Sequence, residues 1–304
     1  MPTKYTIGVD IGATKTVVGL VQAGKIIQSE RFLTQPSQKT NKLTIISNLV
    51  RALTTVWSIK VDGIGIGIAG TTDSKKQLFL RGANFPKSFL NIDFKKELKK
   101  FNTPIVLDND VHCFTLGEAK FGVGKKYKNV FGITLGTGLG GALVIDGKIY
   151  SGRNNTAGEI GHTIIDMSNQ KAVCNIGPHG QLEAFVSGTG LARMIAERYE
   201  KPFSVKDLET HIKFGDKSAL EIVNLAGYAF AVGCANVIQT LNPDVIVVGG
   251  GLTRSPSLWQ AMKRNLKGLV SYPQLRSTPI IKTPLAHESI ILGAVELIKN
   301  LKTR

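Results

Sequence analysis

A chain of 304 residues with 42% hydrophobic content can bury one large core or two medium ones, and its three widely spaced cysteines, Cys113, Cys174 and Cys234, argue against a disulfide framework. No apolar run reaches the ~18 to 20 residues that span a bilayer, and a strand beginning near Tyr5 leaves no room for a secretory leader, so no membrane partner is expected and the chain is read as cytoplasmic. The formal net charge of +16 would suit nucleic acid, but the lysines are scattered and pairs such as Lys95-Lys96 and Lys125-Lys126 lack an interleaved aromatic platform, so no nucleic-acid partner is expected.

From Tyr5 to about Thr34 the pattern predicts three successive strands opening a mixed sheet, with a small-residue turn carrying hydroxyls inside the stretch Ile7 to Ile27. Asn41 to Trp57 sets Leu43, Ile46, Leu49, Leu53 and Val56 on one helical face. Val61 to Ala69 alternates Gly with Ile, as a close-packed strand would, and runs into the loop Gly70-Thr71-Thr72-Asp73. Asn84-Phe85-Pro86 follows in a connection that its proline makes extended or turned. Asn91 to Lys100 reads as a short basic helix and Thr103 to Leu107 as a buried strand. Asp108-Asn109-Asp110 comes next, ahead of the helix Val111 to Gly122, where open α/β sheets place their ligands. Capping that helix needs one of the three, which leaves spare oxygens.

Phe131 to Tyr150 is two β runs hinged on Leu135-Gly136-Thr137-Gly138-Leu139-Gly140-Gly141. Its glycines permit φ > 0 and the close approach of a ligand, and the turn reads either as a phosphate cradle or as an ordinary Gly-rich hairpin. A second copy lies upstream: Gly8 to Gly12 aligns with Gly132 to Gly136, and after a one-residue slip Gly24-Lys25-Ile26 aligns with Gly147-Lys148-Ile149. Two similar hairpins so far apart point to a duplicated domain, whose facing turns would hold one polyphosphate from two sides. The loop-like stretch Ser151 to Asn169 contains Gly158-Glu159-Ile160-Gly161-His162, which reads equally as a grip on vicinal hydroxyls, as metal ligands or as a structural histidine. Cys174 to Glu183 is a compact Gly/Pro loop feeding a short helix, and Ser187-Gly188-Thr189 caps the next one. Helices follow from about Ser204 to His211 and from Ser218 to Leu241, the latter apolar and hence buried. Asp244 to Val248 is a core strand running into Gly249-Gly250-Gly251, a further phosphate or nucleotide turn. A helix from Ser257 to Leu269, a strand from Pro279 to Lys282 and a helix from Glu288 to Lys299 close the chain.

With these residues in hand, the chain resembles the ROK family of sugar kinases and repressors, within the actin-like ATPase superfamily, over essentially its whole length. The pieces that carry the resemblance are Asp10 to Thr16, Gly67 to Thr71, Asn109-Asp110, Leu135 to Gly141, Gly158 to His162, Leu182-Glu183 and Asn242 to Gly251, in that order. The resemblance implies an α/β fold of two ribonuclease-H-like lobes with a central cleft for sugar and ATP. It implies an N-terminal lobe of residues 1–110, completed by a C-terminal helix of residues 288–304, and a larger lobe of residues 111–287.

Position by position, the resemblance implies that Asp10, Gly12, Thr14, Lys15 and Thr16, with Thr137, Gly138 and Gly140, cradle phosphates, and that Gly250 and Gly251 lie near adenosine. Asn84, Asn109, Asp110, Glu159, His162 and Glu183 would hold the hexose, with Asp110 taking the proton of the attacking hydroxyl. Mg2+ would ride with ATP, its hydration shell oriented by Asp10. Glucose is the implied substrate, N-acetylglucosamine or N-acetylmannosamine the alternative and fructose a third; polyphosphate is conceivable as donor, and a homodimer is expected. A sugar-sensing regulator without chemistry is the competing class, and the retained Asp110 and both phosphate turns argue against it. Many relatives hold a structural zinc with the histidine of the Gly-His pair and three cysteines in a C-x-C-G-x-x-G-C pattern. Here His162 and Cys174 remain, but Ile176 and Gln181 stand at the second and third cysteine positions and His179 sits where the pattern has no ligand, so no metal site is expected.

Overall fold

The computed structural model describes residues 5–35, 41–56, 60–82, 85–174, 177–285 and 287–301. Strands β1 (Tyr5–Ile11), β2 (Lys15–Gln22) and β3 (Lys25–Leu33) form an antiparallel meander, followed by helix α1 (Lys42–Val56) and β4 (Ile64–Ile68). Short strands β5 (Thr71–Asp73), β6 (Leu78–Arg81) and β7 (Ile92–Asp93) make a small antiparallel sheet, and the four-residue helix α2 (Phe94–Glu97) leads to β8 (Ile105–Asn109) and α3 (Asp110–Lys120). Next come β9 (Val130–Leu135), β10 (Leu139–Ile145) and β11 (Lys148–Tyr150), and then α4 (Glu183–Val186), α5 (Gly188–Arg198), α6 (Leu208–Lys213) and α7 (Lys217–Leu241). Strand β12 (Val245–Gly249), α8 (Pro256–Leu269), β13 (Ile280–Lys282) and α9 (His287–Leu301) complete the described chain.

The two large sheets run in the orders β3-β2-β1-β4-β8 and β11-β10-β9-β12-β13. Each starts from a hairpin meander and adds two later strands on the other side; β4 and β8 are parallel to their neighbours, as β12 and β13 are to each other. The repeated order extends to whole sheets the likeness between the two Gly-rich hairpins.

By compactness the chain divides into one unit of Met1–Gly132, Ala142–Ala157 and Leu285–Arg304 and another of Ile133–Gly141 and Gly158–Pro284. The first unit therefore runs past the boundary expected at Asp110 and takes in α3.

In the first unit, strand alternation sorts side chains between two layers. Val18 and Leu20 join Ile7, Val9, Ile66 and Leu107 in a core completed by Ile45, Leu49 and Leu53 of α1 and the fully buried rings of Phe79, Phe89 and Phe94. Val17 and Val21 point the other way, onto Ile291, Leu292 and Val295 of α9. Glycine makes that second layer possible: a Cβ at Gly65 would overlap the backbone of Ala294, and one at Gly117 of α3 the backbone of Ser289. The face of α1 differs from expectation at one place, since Leu43 is 73% exposed and Ile45 takes its place in the core.

In the second unit, α7 packs against α8 around Ala226, Phe230, Leu258 and Met262, all buried. By length and hydropathy α7 could cross a membrane, which the expectation about apolar runs overlooked, but 67% of its most apolar window is buried inside the protein, as befits a core helix.

Candidate active site

In the first unit, Asp10 sits near the end of β1, 5% exposed, with its Oδ2 accepting a hydrogen bond from His287 Nδ1 at 2.8 Å. Burial pushes the Asp10 carboxyl up, while the hydrogen bond and charge of His287 pull it back; the same bond raises the His287 imidazole above its ordinary value. The β1–β2 turn beyond it is tightly tied: Gly12 N–H donates to Lys15 O at 3.0 Å, Thr34 Oγ1 donates to Gly12 O at 2.6 Å and Gln35 Nε2 donates to Ala13 O at 2.8 Å. Thr14 and Lys15 are exposed at its tip. Thr16 departs from the expected phosphate role, because it is 1% exposed and its hydroxyl lies 2.8 Å from that of Thr34. With the Thr34 proton committed to Gly12 O, Thr16 is the donor of that pair, and it clamps the turn from inside.

At the carboxyl end of β8 the three polar residues divide the work. Asn109 is the N-cap of α3: its Oδ1 accepts from the N–H groups of Val111 and His112 at 2.7 and 3.2 Å, and its Nδ2 donates to Gly70 O at 3.0 Å. Asp108 is 4% exposed, and its Oδ1 accepts from Asn109 N–H, from Asn155 Nδ2 and from His112 Nδ1, at 2.7, 2.8 and 2.9 Å. Asn155, held at φ 61°, also donates to Thr72 Oγ1 at 2.9 Å. Asp110, first residue of α3, is half-buried and its Oδ1 accepts from Val111 N–H at 3.0 Å. The capping and network duties fall on its neighbours, so the Asp110 carboxylate is backed by a buried polar scaffold. Asn84, expected beside it, lies outside the described residues.

In the second unit, the turn after β9 is set by the start of α5. Gly188 and Thr189 N–H groups donate to Gly136 O and Thr137 O at 2.9 and 3.0 Å. None of Gly136, Gly138, Gly140 or Gly141 takes a left-handed φ, contrary to expectation. What glycine provides at 138 is room: a Cβ there would stand 2.7 Å from Glu183 Oε2, the oxygen that accepts from Leu139 N–H at 2.8 Å. Glu183 thus braces the turn with one oxygen. Thr137 is exposed at its tip, and Gly140 is half-buried.

Glu159 is exposed and His162 half-buried, their Oε2 and Nε2 atoms 4.0 Å apart. The other ring nitrogen, Nδ1, lies 2.8 Å from Gln181 Oε1, which also accepts from Cys174 Sγ at 2.7 Å. Among the described residues no group of three or more His, Cys, Asp and Glu side chains could hold a metal ion. His179 is exposed, and Ile176 lies outside the described residues. In the turn after β12, Gly250 has φ 99° and abuts Leu135, while Gly251 faces open space.

Sequence reasoning missed four parts of this arrangement: His287 against Asp10, the Asp108–His112–Asn155 network, the inward hydroxyl of Thr16, and Gln181 as an anchor. Asp108 and His112, four residues apart across a helix start, were a readable signal. Of the other pairs, Cys174 and Gln181 are seven residues apart and the rest are separated by longer stretches of chain.

The chain matches the ROK family over residues 6–301. It is 30% identical to a glucokinase of Thermotoga maritima, with 98% of each chain covered. To an N-acetyl-D-glucosamine kinase of Escherichia coli it is also 30% identical, over 85% of this chain and 88% of that one. Among solved structures it is similar to a ROK family glucokinase from Streptomyces griseus in complex with glucose and AMPPNP, at 25% identity and a TM-score of 0.82, covering 97% of this chain and 99% of the other. A match that runs from the first strand into the last helix, on an actin-like ATPase fold whose two large sheets repeat one strand order, makes this chain a member of the ROK family.

Proposed function

We propose that the chain is an ATP-dependent sugar kinase that moves the terminal phosphoryl group of ATP to a hexose hydroxyl, with glucose the leading substrate. The observation that carries this reading is the half-buried Asp110 at the start of α3, with Asn109 as the cap and Asp108 anchored beneath it. Phosphoryl transfer asks for positioning and charge neutralisation, with one carboxylate aimed at the nucleophilic hydroxyl. In this reading Asp110 accepts the hydroxyl proton as the sugar oxygen bonds to phosphorus and the bond to the ADP oxygen breaks. A positioned base of this kind contributes about 10² to 10⁴-fold, roughly 3 to 5 kcal/mol of barrier.

Asn109, Glu159, His162 and Glu183 hold the hexose; the turns at Gly12 to Lys15 and at Thr137 to Gly140 take the phosphates, and Gly250 and Gly251 lie by the adenosine. Mg2+ would ride with ATP, its hydration shell oriented by Asp10, a buried carboxylate whose Oδ2 accepts from His287 Nδ1. Support for the substrate class comes from the T. maritima glucokinase and the glucose-bound S. griseus glucokinase, while the E. coli relative keeps N-acetylglucosamine as the second reading. The protein is proposed to be a homodimer, on family resemblance; light scattering that returned the 32.8 kDa mass of one chain would count against it.

The deciding experiment is a coupled ADP-release assay of the purified protein with glucose, N-acetylglucosamine, N-acetylmannosamine and fructose, each with ATP and Mg2+, and with polyphosphate as donor read by sugar-phosphate formation. Glucose with ATP should give the largest kcat/KM. Turnover with none of the pairs, alongside measurable sugar binding, would make the chain a sugar-sensing regulator instead.

A further inference from the structure

Gln181 is 2% exposed, and its side-chain oxygen lies 2.8 Å from His162 Nδ1 and 2.7 Å from Cys174 Sγ. The backbone holds it in register with the loop that carries His162: Ile164 and Gln181 form an antiparallel bridge, and Leu182 N–H donates to Thr163 O at 2.9 Å. Gly180, at φ 76°, lies too close to Asp166 for any side chain, which fixes the approach of residue 181. A carbonyl oxygen has lone pairs and no proton, so both of its neighbours must be donors, the thiol through S–H and the imidazole through Nδ1–H. A neutral imidazole protonated on Nδ1 has a bare lone pair on Nε2. That nitrogen is the one 4.0 Å from Glu159 Oε2, on a side chain that is 30% exposed.

We propose that Gln181 is a positioning residue for sugar recognition: its oxygen locks His162 in the Nδ1–H tautomer, so that Nε2 accepts a hydrogen bond from a substrate hydroxyl beside Glu159. In the opposite tautomer the Nδ1 lone pair would face the lone pairs of a buried oxygen 2.8 Å away, and Nε2–H would present the substrate with a donor in place of an acceptor. The amide performs the orienting task without a metal, using a residue that cannot ionise. The proposal rests on the sugar-kinase reading, and the two are separable by experiment.

The test uses the full chain with ¹⁵N-labelled histidine, in mildly alkaline buffer, with the His162 signals assigned by their loss in His162→Asn. Long-range ¹⁵N–¹H correlations read which ring nitrogen carries the proton, with no sugar present. Wild type should show Nδ1–H, Gln181→Leu a mixture or Nε2–H, and Gln181→Glu, which keeps an acceptor oxygen, Nδ1–H again. In kinetics Gln181→Leu should raise KM for the sugar about tenfold, the equivalent of one lost hydrogen bond, with KM for ATP unchanged, and Gln181→Glu should recover most of that loss. Wild-type His162 protonated on Nε2 would overturn the proposal, as would Gln181→Leu with both tautomer and sugar KM unaltered. Should Gln181→Leu fail to fold, the wild-type tautomer and Gln181→Glu still decide. If no sugar is phosphorylated by wild type, the kinase reading fails while the tautomer result stands on its own.

Discussion

Replacing Asp110 with Asn keeps volume, polarity and the oxygen that accepts from Val111 N–H, and the helix cap belongs to Asn109, so Asp110→Asn should fold as wild type. An amide cannot take the hydroxyl proton, and kcat should fall by about 10² to 10⁴-fold with sugar binding largely retained; wild-type turnover in the purified variant would remove Asp110 from its role. His287 yields a pH prediction. Its folded pKa is raised above the ordinary 6.5 by the Asp10 hydrogen bond, so the stability it contributes is complete below that value and is lost as pH rises through the raised one. His287→Gln should therefore lower Tm more at about pH 6 than at about pH 9. An equal deficit at both pH values would mean that no ion pair with Asp10 forms in solution. At this scale the sequence was legible where chemistry is local. Asp108-Asn109-Asp110 at a strand end announced a cap with oxygens to spare. Thr16 misled, because a hydroxyl in a Gly-rich turn looks the same whether it faces a phosphate or, as here, the hydroxyl of Thr34 across the next hairpin.

Periodicity made the longer elements readable and failed on the short ones. The helix at Lys42 and the apolar helix at Lys217 follow from spacing, whereas Asn91 to Lys100, expected as one basic helix, breaks into the two-residue β7, the four-residue α2 and a 3-10 turn at Lys99–Phe101. Strands as short as Thr71–Asp73 carry too few residues for alternation to show, and the small sheet they build is defined by pairing across the loop. The turn after β9 was found for its glycines, but for the wrong conformational reason, and this changes what its variants should do. Gly138→Val would drive a branched side chain against Glu183 Oε2 and break the brace to Leu139 N–H, raising KM for both ATP and sugar and costing about 1–3 kcal/mol of stability. Gly136→Ala meets nothing within 4 Å and has no left-handed φ to oppose it, so its kinetics should match wild type. Equal damage from the two would show that the turn depends on flexibility instead of on the Glu183 contact. The loop from Gly158 to Gln181 is likewise held by hydrogen bonds of the Gln181 amide, and metal analysis of purified protein should find no stoichiometric zinc; about one zinc per chain would reverse that reading.

At the scale of the molecule, the duplication was visible because both hairpins repeat one pattern, while the two later strands of each sheet share no motif and appear related only by strand order. Net charge is a molecular property that needs no structure, and at +16 it makes a prediction that separates the two substrates. ATP is a multiply charged anion and a hexose is neutral, so a positive field speeds the encounter with the first and leaves the second alone. The field of exposed lysines reaches about 30 Å at 0.01 M salt and about 8 Å at 0.15 M. Raising salt across that range at saturating Mg2+ should lower kcat/KM for ATP on the order of tenfold, with the value for the sugar nearly constant. Contacts made at close range inside a phosphate turn are screened much less than this long-range term, so the salt dependence should reside in the association rate and not in kcat. Parallel losses for ATP and sugar would instead indicate a change in the protein itself, and a flat response for both would mean that the lysines are too dispersed to steer the nucleotide.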